Sequence, residues 1–188
     1  MTIAPRQWLH VGDVTIGADG KTQFPELPPL RPECIIETTV RGTKRRKVPG
    51  IYRLTFDKDG RKYVWIGQTD DLQRCPFGDY CNPADGVERD NVVHDILVDA
   101  GGAKVEVIPQ CDLLPKGTTR STAEDEEQER AFEDQDVFLL NKLRRKKLRK
   151  RRCGPGYGYY LKVKAEYYKK TFEDTQRELG AWNANHPC

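Results

Sequence analysis

The feature that most constrains this chain is a pair of strand-like segments around an Asp-Gly turn. IYRLTF (51–56) alternates in polarity, DKDG follows at 57–60, and RKYVWIG (61–67) resumes a strand composition. Asp59-Gly60 is a dipeptide that tolerates positive φ at a tight turn, so the two segments are predicted to form a β-hairpin.

The remaining elements are placed outward from it. CIIETTV (34–40) is a β-branched run with strand character, and RGTKRRK (41–47) is predicted as an exposed basic turn. In DNVVHDILVDAGG, Val93, Ile96, Leu97 and Ala100 share one helical face, an Asp-Asn pair caps the start and Gly101-Gly102 ends it; KVEVI (104–108) then alternates as a strand. LPKGTTRST (114–122) is a loop. From Ala123 through about Arg152 the sequence is strongly helical, with Phe132, Val137, Leu140 and Leu143 as an apolar stripe, and AEYYKKTFEDTQRELGAW (165–182) is a final amphipathic helix. The first thirty residues, with GADG at 17–20 and PELPPLRP at 25–32, are predicted as a strap or loop, because proline fixes φ and removes backbone donors. The expected class is α+β: a small mixed sheet with a central hairpin flanked by helices. Residues 1–47 form an N-terminal strap and strand, 48–145 the core, and 146–188 a basic, aromatic, helical extension packed on the core.

A chain of 188 residues suits one domain with decorations. Hydrophobic residues at 37% against 32% charged exclude a membrane-spanning class, and MTIAPRQWLH has no apolar leader, so the expected location is cytoplasmic. Six cysteines with no CxxC pair are expected to be free thiols, with Cys75 and Cys81 near enough to pair locally under oxidation. The net charge of +3 hides a segregation: KLRRKKLRKRR (142–152) follows the mostly acidic AEDEEQERAFEDQD, and that asymmetry points to a polyanionic partner.

At its central residues the chain resembles the GIY-YIG nuclease family. Gly50-Ile51-Tyr52 stands as the first motif; Trp65-Ile66-Gly67 lies about a dozen residues later across the hairpin, where the second tripeptide belongs; QTDDLQR (68–74) is similar to the segment leading to the family's arginine. The resemblance covers roughly residues 48 to 145, with two departures. Trp65 replaces the usual second-motif tyrosine and has no hydroxyl, while Tyr63, two positions earlier on the same strand face, offers one. Cys75 stands where many members carry the arginine, and Arg74 is the adjacent candidate.

The resemblance implies hydrolysis of a phosphodiester, which needs an activated water, stabilised charge on the phosphate and a neutralised leaving oxygen. Tyr52, with Tyr63 as the second hydroxyl, would position or deprotonate the water. Arg74 would clamp phosphate oxygens with its planar fork. His94 is a candidate proton carrier or phosphate ligand, against the alternative of a structural histidine. Mg²⁺ (or Mn²⁺) would be held by one carboxylate and water, from Asp136 or Glu133, with Glu129 a more distant option. Lys44, Arg45, Arg46 and Lys47, together with Arg144, Arg145, Arg149, Lys150, Arg151 and Arg152, are the expected contacts to nucleic-acid phosphates, the alternative being a solvated charge cluster. The expected function is cleavage of double-stranded DNA as a restriction-type enzyme, for which a symmetric homodimer and no membrane partner fit. The competing readings are a nuclease of repair, mobile-element or toxin type, and a non-catalytic DNA-binding protein on a degenerate nuclease fold.

Overall fold

The computed structural model describes residues 5–16, 22–73, 91–134, 136–141 and 177. Among them the strands are β1 (Leu9–Ile16), β2 (Thr22–Gln23), β3 (Ile36–Val40), β4 (Thr43–Lys47), β5 (Gly50–Lys58) and β6 (Arg61–Thr69). Helix α1 (Asn91–Ala100), β7 (Gly102–Pro109), α2 (Arg120–Glu133) and β8 (Val137–Leu139) follow. The main sheet runs β2-β1-β7-β5-β6-β8, and β3 pairs only with β4 in a separate two-stranded ribbon.

The hairpin is as the sequence predicts: β5 and β6 pair without a break from Gly50↔Thr69 to Lys58↔Arg61, and Asp59 and Gly60 both take positive φ at the turn. β7 lies antiparallel on the other side of β5, so β5 is paired along both edges. Every pairing in the sheet is antiparallel except β6 with β8, which makes it mixed and the class α+β.

Strand alternation divides the core between two faces. On one, Tyr52, Leu54 and Phe56 of β5 join Tyr63 of β6, Val105 and Val107 of β7, and Val93, Ile96 and Leu97 of α1. On the other, Ile51 and Ile108 pack with Ala123 of α2, and Val64, Ile66 and Leu139 pack with Ala131. The sheet is thus the middle of three layers. Helix α1 spans the predicted interval, and α2 starts where the Thr119 side chain accepts the Thr122 amide at 3.1 Å, an N-cap that contributes about 1 kcal/mol.

Four expectations are corrected. RGTKRRK (41–47), predicted as an exposed basic turn, turns only at Arg41-Gly42, and Thr43–Lys47 is strand β4 paired with β3. Leu9–Ile16, predicted inside a strap, is a strand between β2 and β7, because the prolines at 25–32 follow it and leave its own backbone donors intact. The helix predicted from Ala123 to Arg152 ends at Glu133, and Val137-Phe138-Leu139, a β-branched and aromatic run, pairs with Lys62–Val64 as a strand. Cys34 and Cys111, expected as free thiols, are joined in a disulfide with their Cα atoms 5.0 Å apart. A separation of 77 residues hides that pairing from any local reading. Cys75, Cys81, the basic run 142–152 and the helix predicted at 165–182 lie outside the described residues, Arg177 excepted.

Candidate functional site

Gly50, Tyr52, Trp65 and Gly67 come together at the end of the hairpin away from its turn. Tyr52 pairs directly with Gly67 across the two strands, and the hydroxyl end of its ring covers that glycine: a Cβ added at 67 would meet the Tyr52 hydroxyl and stand 2.5 Å from Cζ and 2.9 Å from Cε1. A Cβ at Gly50 would stand 2.5 Å from both the Ile108 carbonyl oxygen and Leu72 Cδ1. Both glycines therefore exist to let other groups approach the backbone, one a tyrosine ring and one a neighbouring strand. Trp65 is half-buried on the same face as Tyr52, opposite Leu54.

The segments on either side of the first motif are tied to it. The Leu72 amide donates to the Val48 carbonyl at 2.7 Å, the Val48 amide donates to Asp71 Oδ1 at 3.2 Å, and the Gln110 amide donates to the Pro49 carbonyl at 2.8 Å. Asp71 is buried, and its Oδ1 also accepts the Gln73 amide at 3.2 Å, so this carboxylate holds the turn that leaves β6. Arg120 of α2 bonds the Thr69 carbonyl and pairs with Asp70 at 2.6 Å, fixing the end of the strand to the start of the helix.

Tyr63 is brought onto the same face but not to the same place. It is buried, stacked on Phe138 with ring centroids 5.4 Å apart, and four residues along β6 from Gly67, about 13 Å at strand rise. Arg74 lies outside the described residues, and His94 is placed only as a position in α1.

The carboxylates follow the direction of α2. Arg120 meets Thr69 and Asp70, Gln128 Nε2 donates to the Ile66 carbonyl at 3.2 Å, and Val137 pairs with Lys62. The helix therefore descends toward the hairpin turn. Asp136, exposed in the turn after the helix with its amide bonded to Asp134 Oδ1 at 2.9 Å, arrives some five residues of β6 beyond Gly67, about 16 Å away. Glu133 is the last residue of the helix and occupies the same end; its side chain is outside the described set, and Glu129 lies one turn before it. The acids at the Tyr52 end are those of the first two turns. Glu124, partly exposed, accepts Gln128 Nε2 at 3.0 Å. Glu127 is buried and already engaged, by Arg6 at 3.0 Å and Trp8 Nε1 at 3.3 Å, with Arg130 at 3.7 Å.

Sequence reasoning missed a buried polar network on the α2 face. Asn141 Oδ1 accepts the Ile66 amide at 2.8 Å and its Nδ2 donates to the Ile66 carbonyl at 2.6 Å, so the side chain continues the β6 edge where β8 stops. The only sequence signal is an Asn closing the apolar run VFLL. Arg53 and Glu106 face each other across β5 and β7, with Arg53 Nη2 2.6 Å and Lys104 Nζ 3.0 Å from the carboxylate and the Trp8 ring 4.6 Å from the guanidinium. Burial pushes the Glu106 carboxyl up, but the two cationic donors outweigh it and hold its pKa below the ordinary range. Among the described residues the one cluster with metal-ligand proximity is Cys34, Cys111 and Asp112, where the two sulfurs are bonded to each other. Along α2, the partly exposed Glu124 lies toward the Tyr52 end of β6 and Asp136 toward the hairpin turn.

No family model, no curated protein and no solved structure matches this chain. Among the described residues no helix is long and apolar enough to cross a membrane.

Proposed function

We propose that this chain is a metal-dependent DNA endonuclease of the GIY-YIG type. One observation carries the reading: Tyr52 of the first tripeptide lies across the hairpin on Gly67 of the second, with Gly50 closed in by Leu72 and β7. The ring occupies the space of a Cβ at Gly67, so the tyrosine hydroxyl is held at one place on the strand where the two tripeptides meet.

In this reading Tyr52 orients the attacking water through its hydroxyl, and would take the water's proton only as a phenolate whose own proton has first gone to solvent. Arg74 keeps the phosphate-clamping role that the family resemblance gives it. A divalent ion, held by Glu124 and water, would supply charge neutralisation at the phosphate and the leaving oxygen. Tyr52 and α2 lie on opposite faces of the sheet, so a phosphate served by both has to lie across the β6 edge beyond Asn141. Restriction-type cleavage by a homodimer belongs to this proposal.

The second reading, a non-catalytic DNA-binding protein on the same scaffold, draws on Trp65 in place of a second tyrosine and on the burial of Tyr52 at 5% exposure. The two separate in one experiment. Wild type and Tyr52→Phe are incubated with supercoiled plasmid with and without Mg²⁺, and binding to a short duplex is followed in parallel. The nuclease reading expects Mg²⁺-dependent cutting that Tyr52→Phe abolishes while affinity holds. Cutting at an undiminished rate by the variant sinks the tyrosine assignment, and a retarded but uncut plasmid with wild type leaves the binding module.

A further inference from the structure

The β3–β4 ribbon has no part in the main sheet, and a two-stranded hairpin with no covered face is marginal on its own. It is nonetheless firmly rooted. Cys34, two residues before β3, is bonded to Cys111, and Val48, directly after β4, is fully buried and hydrogen-bonded to Asp71 and Leu72. Between these anchors both faces lie open: Thr43, Lys44, Arg45 and Arg46 are exposed, as are Glu37 and Thr39 on the partner strand, and Ile36 is 47% exposed. The register puts Thr38 opposite Arg45 on one face and Thr39 opposite Lys44 and Glu37 opposite Arg46 on the other. Arg41, at the tip with φ 49°, adds a fifth base to Lys44, Arg45, Arg46 and Lys47, against Glu37 as the one acid in the ribbon.

We propose that this ribbon is a DNA-reading arm that enters the major groove of B-form duplex DNA, delivering the duplex to the Tyr52 end of the hairpin. The inference rests on the nuclease reading for the purpose of the arm, not for its fit. Strands about 4.8 Å apart with side chains on both faces make a ribbon about 10 Å thick, and five residues per strand reach about 15 Å. The B-form major groove is about 12 Å wide and 8.5 Å deep, whereas the deep, narrow groove of A-form RNA does not admit such an element. Bases on both faces meet the phosphates of both groove walls, and Thr38, Thr39 and the tip Arg41 are suited to thymine methyls and guanine edges. Lys47, at the root of the arm, is five residues before Tyr52, so that root is tethered within about 17 Å of the tyrosine along the chain.

The test uses the full chain in Ca²⁺, so that binding is read without cleavage, by anisotropy on matched DNA and RNA duplexes. The first variant is Arg41→Asn with Lys44→Gln, Arg45→Gln and Arg46→Gln, asparagine being chosen because it tolerates the left-handed backbone. DNA affinity should fall tenfold or more, the log affinity against log salt slope should drop by up to about 3.6, at about 0.9 per phosphate contact, and the preference for DNA over RNA should vanish. The second variant, Gly42→Val, keeps every charge but places a branched side chain at φ 77°, which deforms the turn. It too should lose the preference for DNA over RNA. Undiminished binding and preference in Gly42→Val would reduce the arm to a charge patch and overturn the proposal, as would competition by a minor-groove ligand but not by a major-groove one. Binding through the arm without Mg²⁺-dependent cutting overturns the nuclease reading alone; cutting with an arm that contributes no affinity overturns the arm alone.

Discussion

The contact between Tyr52 and Gly67 makes a prediction whose sign depends on one ring. A glycine inside a strand is ordinarily worse than alanine by about 0.5–1 kcal/mol, so Gly67→Ala in open space would stabilise the protein. Here the new Cβ falls 2.5 Å from Tyr52 Cζ, against the 3.5–4.0 Å at which carbons pack, and the ring must retreat by about 1 Å into a core that already holds Leu72, Val93 and Leu97. Overpacking of that kind costs about 1–3 kcal/mol. Tyr52→Ala alone should cost about 3–5 kcal/mol through the cavity it leaves, but it also removes the obstacle, so adding Gly67→Ala to it should be neutral or slightly stabilising. The double-mutant cycle therefore carries a coupling of about 1–3 kcal/mol. Urea unfolding of the four proteins measures it, and at a slope of about 2 kcal/mol/M the Gly67→Ala midpoint should fall by about 0.5–1.5 M. Equal shifts in the two backgrounds would refute the reasoning, because Gly67 would then be present for its own backbone and not for the tyrosine.

Three further outcomes follow from contacts away from the tyrosine. Asn141→Leu strands the Ile66 amide and removes one bond to its carbonyl in a buried place, and should cost about 2–4 kcal/mol in chemical denaturation; a midpoint equal to wild type would remove Asn141 from the account of the β6 edge. Reducing the Cys34–Cys111 bond frees a 77-residue loop, for which chain entropy gives about 4 kcal/mol; a melting temperature unchanged by a reductant that quantitatively exposes both thiols would contradict this. Glu106 is held below its ordinary pKa in the folded chain, so its stabilising contribution is complete above the ordinary glutamate range and disappears as pH falls through the folded value. Glu106→Gln should cost about 1–3 kcal/mol at pH 7 and show a shallower loss of stability than wild type as pH falls below the ordinary glutamate range; parallel curves would remove Glu106 from the account of acid sensitivity.

The parts of the fold that were legible are those where one local signal decides. Asp59-Gly60 between alternating strands admits one geometry, and Val93, Ile96, Leu97 and Ala100 before two glycines admit one helix. One failure is local: in RGTKRRK the charge run hides that only Arg41-Gly42 turn while Thr43–Lys47 pair back on β3. In the others a distant partner chose between local options. Leu9–Ile16 was masked by prolines that belong to the next segment and became a strand because β7 offered an edge. Val137–Leu139 fits an apolar helical stripe as well as a strand, and the free edge of β6 settled it. At the site, the pairing of Tyr52 with Gly67 follows from hairpin register and could be counted from the turn. The carboxylate could not, because a helix packed across a strand changes its neighbour by a whole turn with each few residues, and sequence spacing alone does not say which way it descends.

The position of β1 carries a consequence in time. It pairs with β7 from Leu9↔Val107 to Thr15↔Gly102, so about 90 residues separate the strand from its partner. At a synthesis rate of about 5–20 residues per second, β1 leaves the ribosome roughly 5–20 s before β7 exists to receive it. Throughout that interval Leu9, Val11, Val14 and Ile16 form an apolar segment open to any other strand in reach. Two residues of its own sequence temper the hazard: Gly12 is a poor strand former and Asp13 places a charge in mid-strand, so an intruding flat strand finds a poor template. Replacing both with valine would trade that protection for a strand that aggregates before it can fold.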